Sequence, residues 1–549
     1  MTNRIIAAHF RELANLMELL EENPFKIRSY RNAYQKLRNF EEDLFEMDQK
    51  ELEAIPGVGK AISAKIVELK DSGKMATLEK VREKIPEGVV EMLGIKGLGP
   101  GRIGKLWKGL EIQSPGELLY ACEENRLVDL KGFGKKSQED IGKKVQYFLS
   151  QKGLFFYHDL EEKAAKIVND LKGALPDEQF DFAGELRRKM NTLRAIELLT
   201  TAKKQVLIDL GKEDFKLEKV SGEQLEFSTD EGIPVLVYTC SAADWGSSQI
   251  QRTGPKAFIE RYLGRSADPI SEFETELQVF ESIGKPFVIP EHRDWPSPEK
   301  AANLEAEELV REEQIKGVVH AHSTYSDGAH SLEKMAEACK REGFEYLAIS
   351  DHSVFASYAG GLTEKEVLKQ WEEIDHLNKK FTDFRIIKGI EADILPDGNM
   401  DYDPELLGGF ELVIASIHSV LNMDEKRATD RLIKAIENPH THMLGHPSGR
   451  LLLSRPAYPL QMEKITDACA ANGVAIEINA NPHRLDLDWS FVFDAQEKGV
   501  KFSINPDAHS VEGIGDIRHG VRAARKGGML SRSCLNTLSA DEFLAAFKL

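Results

Sequence analysis

KGVVHAHSTYSDG (residues 316–328) starts as an apolar run of strand length and ends on His320, His322 and Asp327. Strand alternation puts the two histidines on one face, so the HxH pair alone is an ordinary product of β geometry. Repetition gives it meaning. Similar runs recur as EYLAIS (345–350), FRIIKGIEA (384–392), LVIASIH (412–418), THMLGH (441–446), VAIEIN (474–479) and KFSIN (501–505). Amphipathic helical patterns separate most of them, at 331–342, 363–381, 424–437 and 459–472. Strands alternating with helices predict a parallel sheet or barrel, whose chemistry gathers at the C-terminal strand ends. At or just past those ends stand His320, His322, Asp327, His352, Glu391, His418, His446, Asp507 and His509.

Imidazole nitrogens and carboxylate oxygens are the donors that hold Mn²⁺, Zn²⁺ or Fe²⁺ for hydrolytic chemistry. A single histidine after a strand is usually structural; nine such ligands at the same end of consecutive strands are not explained that way. The expectation is a cluster of divalent metal ions that hydrolyses phosphoesters.

A chain of 549 residues predicts several domains, and 41% hydrophobic with 30% charged residues is ordinary for a soluble protein. The five cysteines, Cys122, Cys240, Cys339, Cys469 and Cys534, form no CxxC pair, which fits a reducing cytoplasm and no disulfide framework. The N-terminal stretch MTNRIIAAHFRELANLMELLEE reads as a charged amphipathic helix, and no apolar run is long enough to span a membrane. A net charge of −19 argues at first sight against a nucleic-acid partner. It is unevenly spread, however. Residues 1–150 hold 25 Lys and Arg against 24 Asp and Glu, which is +1, and leave −20 for the rest. DNA contact is therefore expected from the front of the chain and a few basic spots elsewhere.

Residues 1–150 read as helix interrupted by three glycine turns: IPGVGKAISAKI (55–66), IKGLGPGRIGKL (95–106) and LKGFGKKSQEDI (130–141). Each has an apolar residue, then GxG, then a helix start. A GxG turn lets backbone approach a ligand, and the free N–H groups of the following helix bind a phosphate without reading a base. One copy would pass as a helix cap. Three in one frame, with Lys60, Lys65, Arg102, Lys105, Lys135 and Lys136 just after, resemble helix-hairpin-helix DNA-binding motifs. The resemblance assigns backbone binding to Gly57, Gly59, Lys60, Gly97, Gly99, Arg102, Gly132, Gly134 and Lys135.

ENPFKIRSYRNAYQKL with GVGKAISAKIVELKDSG resembles the N-terminal lyase-type domain of family X DNA polymerases. In that family a lysine on the helix after the hairpin forms a Schiff base with an abasic sugar; the matching residue is Lys65, for which phosphate binding is the alternative role. DFAGELRRKMNTLRAIELLTT (181–201) resembles the family's palm strand but departs from it. Gly184, Arg187 and Arg188 are kept, the triphosphate-contacting serine is Glu185, and the D-x-D pair is Ala195 and Glu197. The third aspartate aligns with Leu236, and the turn RTGPKAF keeps Thr253 and Gly254 with Pro255 in place of serine. Two-metal nucleotidyl transfer needs several converging carboxylates. One glutamate between Ala195 and Leu236 does not supply them, so loss of polymerase activity is expected.

The C-terminal stretch resembles the PHP (polymerase and histidinol phosphatase) domain, in the version fused to bacterial family X polymerases. The resemblance implies one metal held by His320, His322, Glu391 and Asp507, a second by Glu391 with His418 and His446, and a third by Asp327, His352 and His509. It also implies Mn²⁺ as the favoured ion, with Zn²⁺ or Fe²⁺ as substitutes, and a 3′–5′ exonuclease acting on gapped, nicked or free DNA 3′ ends. Arg450 in GHPSGRLLL and Arg484 in EINANPHRLDL are candidates to hold substrate phosphate. An active polymerase with an added nuclease and a small-molecule phosphatase of the histidinol-phosphate type are the competing readings.

The expected architecture is multidomain α/β and monomeric. Residues 1–80 form a helical lyase-like DNA-binding domain with one hairpin motif, and 81–150 a fingers-like helical region with two. Residues 151–290 form a degenerate α+β nucleotidyltransferase-like palm and thumb, 291–314 a linker, and 315–549 a PHP domain built as a distorted (β/α)7 barrel.

Overall fold

The computed structural model describes residues 3–547 except 39, 41, 129, 151–152, 212–215 and 265–272. These residues fall into two compact units, Met1–Leu149 and Ser150–Leu549.

In the first unit every described element is helical, and the three predicted hairpins share one geometry. Gly57, Gly97 and Gly132 carry φ of +94°, +86° and +100°, which only glycine adopts at low cost. In each turn the next residue's N–H closes back on an apolar carbonyl: Val58 on Ile55 at 2.9 Å, Leu98 on Ile95 at 3.1 Å, Phe133 on Leu130 at 2.9 Å. The second glycine then opens a helix: Gly59 before α1 (Lys60–Ser72), Gly99 before α2 (Pro100–Leu110) and Gly134 before α3 (Lys135–Ser150). Apolar side chains beneath the turns, Val58, Ile62, Ile66, Leu98, Ile103 and Leu106, are buried and hold them rigid.

In the second unit, residues 153–264 build a five-stranded mixed sheet, with Phe180–Phe182, Ile196–Thr200, Pro234–Thr239, Gln224–Ser228 and Lys216–Ser221 in that order across it. The helix Tyr157–Ala174 packs on it through Leu160, Ala164 and Val168. Glu197 lies opposite Leu236 in register, as the sequence comparison of the two strands requires.

The predicted barrel follows. Seven parallel strands, β1 (Gly317–Ala321), β2 (Tyr346–Ile349), β3 (Arg385–Asp393), β4 (Leu412–Ser416), β5 (Met443–Leu444), β6 (Ala475–Asn479) and β7 (Phe502–Asn505), lie in sequence order. A parallel bridge between Ala321 and Ala508 brings the two edges together, so the barrel nearly closes. The strands are buried along almost their whole length, as parallel strands covered on both faces must be. The intervening helices Leu332–Arg341, Glu364–Lys380 and Glu425–Ile436 begin where Ser331, Thr363 and Asp424 cap them.

Residues 291–314 differ from the expected linker. Glu291, His292, Arg293 and Trp295 are buried, and Trp295 and Ala301 join an apolar cluster with Phe258, Tyr262 and Phe280 on one side and Trp489 and Phe493 on the other. Lys526, on the last long barrel helix α4 (Ile517–Lys526), reaches the Arg188 carbonyl at 2.9 Å, the Glu291 carbonyl at 3.1 Å and Asp294 at 2.7 Å. Its first charges are anchored, with Glu291 paired to Lys189 and Arg525, Arg293 to Glu276 and Asp294 to Arg188 and Lys526, while those from Glu299 to Glu313 face water.

Candidate metal centre

All nine predicted ligands converge at the C-terminal end of the barrel. Glu391, near the end of β3, is the hub. Its oxygens lie 3.3 Å from His320 Nε2, 3.1 Å from His418 Nε2, 3.0 Å from His446 Nε2 and 2.9 Å from His352 Nδ1. Asp507 Oδ1 lies 3.4 Å from His320 Nε2 and 3.0 Å from His322 Nε2. On the far side, Asp327 sits 3.6 Å from His352 Nε2, 3.4 Å from His509 Nε2 and 3.9 Å from His322 Nδ1. Three overlapping groups have ligand atoms all within 4.8 Å: His322, Asp327, His352 and His509; His320, His322 and Glu391; His352, Glu391 and His418.

These separations suit ions. Bonds of about 2.1 Å put neighbouring ligand atoms roughly 3.0–3.4 Å apart in octahedral or tetrahedral coordination. The hydrogen-bond accounting points the same way. His320 Nε2, His322 Nδ1 and Asp327 Oδ2 are buried without a hydrogen-bond partner, which is costly unless something else binds them. The donor set therefore fits divalent cations.

The backbone is bent to bring the ligands in. His320, His446 and Asp507 adopt φ of +63°, +21° and +54°, conformations that cost non-glycine residues about 1–3 kcal/mol each. At His320 the register of β1 against β2 slips between Val319 and Ala321, a bulge that re-aims the imidazole.

Charge is concentrated here. Burial disfavours ionised Glu391, yet His418, His320 and His352 hold it well below the usual carboxylate range. Burial likewise opposes protonation of His418, but Glu391 and Asp393 outweigh it and push it up to about 10. His322 goes the other way, to about 3, through burial and the neighbouring His509 and His352. One crowded site thus contains imidazoles of opposite tendency, with the acids ionised.

Several residues that orient the ligands were missed in the sequence. Glu477, buried on β6, bonds His320 Nδ1 at 2.7 Å, leaving Nε2 for the cluster. Asp393 bonds His418 Nδ1 at 3.1 Å, and Asn479 donates to Asp507 Oδ2 at 2.9 Å. Carboxylates behind ligand imidazoles fix ring orientation and raise basicity. A signal was available: Glu477 and Asp393 are charged residues inside buried stretches of strand, which stand only where something pairs them.

The two candidate arginines part company. Arg484 is buried, with Nε 4.0 Å from Asp507 Oδ2, so it faces the cluster. Arg450 does not. Its guanidinium is taken up by Asp488 and the carbonyls of Leu485 and Arg484, so it clamps the 484–488 loop.

The palm arginines are also engaged. Arg187 forms a two-pronged pair with Glu276 at 2.8 and 2.9 Å, bonds Thr253 at 2.8 Å and lies 3.2 Å from Asp181. Arg188 pairs with Asp294 at 3.1 and 3.2 Å and bonds the Thr253 carbonyl. Glu197 accepts from Tyr238 at 3.0 Å and from the Glu185 N–H at 3.3 Å, and a Cβ on Gly184 would strike its carboxylate. Lys65, half-buried on α1, completes the candidates.

Comparison with known proteins agrees with this layout. The helix-hairpin-helix domain family matches residues 1–75, the SAM-like helix-hairpin-helix tandem family matches 89–145, and the PHP domain family matches 319–481. The PHP match covers seven of the ligands; Asp507 and His509 lie beyond it. A probable phosphatase of Thermoanaerobacter sp. (strain X514) is 29% identical over 40% of this chain and 89% of its own length. Another, from Caldanaerobacter subterraneus subsp. tengcongensis, is 29% identical over 40% of this chain and 85% of its own. The DNA polymerase/3′-5′ exonuclease PolX of Bacillus subtilis (strain 168) is 34% identical over 98% of this chain and 97% of its own. With hairpin motifs, palm sheet and metal-ligand barrel in the same order along the whole chain, the protein belongs to the PolX family, the bacterial family X DNA polymerases that carry a PHP domain.

Proposed function

We propose that the barrel hydrolyses phosphodiester bonds at DNA 3′ ends, as a 3′–5′ exonuclease or end-processing enzyme of DNA repair, and that the palm does not polymerise. The observation that carries this reading is the nine-ligand cluster around Glu391, complete to its orienting carboxylates. Three divalent ions, with Mn²⁺ favoured over Zn²⁺ or Fe²⁺, would be held by His320, His322, Glu391 and Asp507, by Glu391, His418 and His446, and by Asp327, His352 and His509. When bound, such ions lower the pKa of water and neutralise phosphate charge.

The chain's own residues supply the rest. Glu477 and Asp393 keep His320 and His418 in the tautomer that aims Nε2 inward. Arg484 brings a fixed positive charge to the same face and suits a phosphate oxygen. The three GxG hairpins offer backbone N–H groups and nearby basic residues to DNA phosphates, which accounts for DNA binding by an acidic protein. Lys65 serves that binding or a lyase step on abasic sites. The protein is expected to work as a monomer in the cytoplasm.

The inactive palm rests on two features. Only Glu197 occupies the carboxylate positions, and burial raises its pKa, against metal binding. Arg187 and Arg188 are tied to Glu276 and Asp294 and are not available to a triphosphate. The small-molecule phosphatase reading draws on the probable phosphatases that match 40% of this chain, but it leaves the hairpins without a role. Purified protein with Mn²⁺ and an end-labelled primer–template, with and without dNTPs, separates the readings. Shortening without extension is the expected result. Extension would overturn the inactive palm, and no change on DNA alongside hydrolysis of histidinol phosphate would favour the phosphatase.

A further inference from the structure

The loop that follows ligand His352 is folded against the usual hydrophobic order. Between Ser353 and Leu362 the residues at every third position, Ser353, Ala356, Ala359 and Leu362, are buried. Its large side chains point outward instead: Val354 is 42% exposed, Phe355 44% and Tyr358 37%. A floppy loop would show neither this period nor so many anchors. The Ser353 N–H bonds the Glu391 carbonyl at 3.0 Å, the Phe355 N–H bonds Asp401 at 3.0 Å, and the Leu362 N–H bonds the His352 carbonyl at 2.9 Å. Gly361 passes so close to the Ser353 carbonyl that a Cβ there would lie 1.9 Å from it.

Of these exposed side chains, Tyr358 lies beside the metal centre. The Tyr358 ring centroid is 6.1 Å from that of His352 and 6.5 Å from that of His418. Two residues past His418, Val420 is 42% exposed at a φ of +55°, so a second ligand-bearing loop lifts an apolar side chain to the same rim. Elsewhere among the described barrel residues, large exposed hydrophobics are confined to Leu368 and Phe491. The barrel's exposed apolar side chains are therefore concentrated on the two loops that follow His352 and His418, the first of them anchored by backbone hydrogen bonds.

We propose that Phe355 and Tyr358, with Val354 and Val420 beside them, form a stacking platform for unpaired nucleobases next to the scissile phosphate. The proposal deepens the reading of the barrel as a DNA phosphodiesterase and rests on it. A platform of this kind suits nucleobases because every base has a π-face, so stacking on aromatic rings is indifferent to sequence. A base must leave its pair to reach it, so the site selects single-stranded, frayed or mismatched 3′ ends over fully paired ones. Phosphate charge would go to the cations held by the cluster and to Arg484; the bases go to the aromatic rim.

The test uses full-length protein with Mn²⁺, and Phe355→Ala, Tyr358→Ala and the double variant. The substrates are a single-stranded oligothymidylate, the same strand in a blunt duplex, and an oligomer of abasic tetrahydrofuran sites, a diester strand without bases or other aromatic rings. The expected result is a KM for the single strand raised about tenfold in the double variant, with kcat changed less than twofold. The loss on the base-free diester should be at least fivefold smaller, and wild-type preference for single strand over duplex should shrink. Tyr358→Phe, which keeps the ring, should restore the wild-type KM. A 3′-terminal 2-aminopurine strand bound with Ca²⁺ should be less quenched in the double variant. Equal kinetics of wild type and double variant on the oligonucleotide would overturn the platform, as would equal losses on both substrates. Failure of wild-type protein to cut either diester would instead overturn the phosphodiesterase reading.

Discussion

The barrel and the palm show two fates of sites built from charged residues. In the barrel, acids and imidazoles converge with their inward atoms unsatisfied: His320 Nε2, His322 Nδ1 and Asp327 Oδ2 await a partner that the protein does not provide. In the palm, the charges are paired with one another. Arg187 and Arg293 share Glu276, both at 2.8 Å, and Arg188 and Lys526 share Asp294. The barrel cluster gathers donors that an ion would satisfy, and the palm sets opposite charges directly against one another. Arg188 and Asp294, with Lys526 from the barrel, join the palm to the barrel.

The sharpest way to break the comparison is to remove a ligand. His320→Ala should lower Mn²⁺-dependent shortening of a 3′-labelled strand by about a hundredfold or more. It should also lower bound metal, read by elemental analysis. Chelation with EDTA should abolish the wild-type activity and Mn²⁺ should restore it. Retained activity would show that the cluster is not the reaction centre.

Glu276→Gln tests the palm side. It leaves two buried guanidiniums without their carboxylate, a loss of about 3–5 kcal/mol in unfolding free energy. Although burial opposes ionisation, Arg293 and Arg187 draw the Glu276 pKa down to about 2 in the folded protein. A carboxylate lowered on folding contributes stability that is fully present above its unfolded value and lost as pH falls toward the folded one. The gap between wild type and variant should therefore be full near pH 6 and narrow as pH falls from about 4.5 toward 2. A gap independent of pH would break the assignment of the stability to this ion pair.

Glu477→Gln keeps shape but removes the charge behind His320. A decrease of about ten- to a hundredfold in Mn²⁺ affinity is expected from a change of this kind, with the thermal midpoint nearly constant. The smallest effect belongs to the hairpins. Gly97→Ala forces a side chain into φ of +86° and close to Lys144 Nζ. It should cost about 1 kcal/mol and weaken DNA binding several-fold without altering metal content. An unchanged DNA affinity would count against phosphate binding by that turn.

Much of the barrel was legible because strand length and ligand position are local properties. All seven apolar runs became strands, and the four helical patterns appear within a few residues of their expected limits. The hairpins were legible for a similar reason: GxG before a helix fixes a turn whatever surrounds it. Arg450 shows where local reasoning ends. GHPSGR suggested a phosphate ligand, but whether a guanidinium meets substrate or Asp488 depends on a loop 38 residues away. The supposed linker is the other case, since a run of charges looks the same whether it is solvated or paired inside a seam.

The sequence by itself determined the order of hairpins, sheet and barrel, the residues that meet in the His/Asp/Glu cluster and the three GxG turns. Each follows from residue type and short-range spacing, which strand and helix periods translate directly into position. Only the tertiary structure decided which nitrogen of each histidine faces inward, which arginines are already engaged and which apolar side chains stay out in solvent. Those outcomes depend on partners far along the chain, as when Glu477 bonds His320 across 157 residues, and no local pattern records such a pairing.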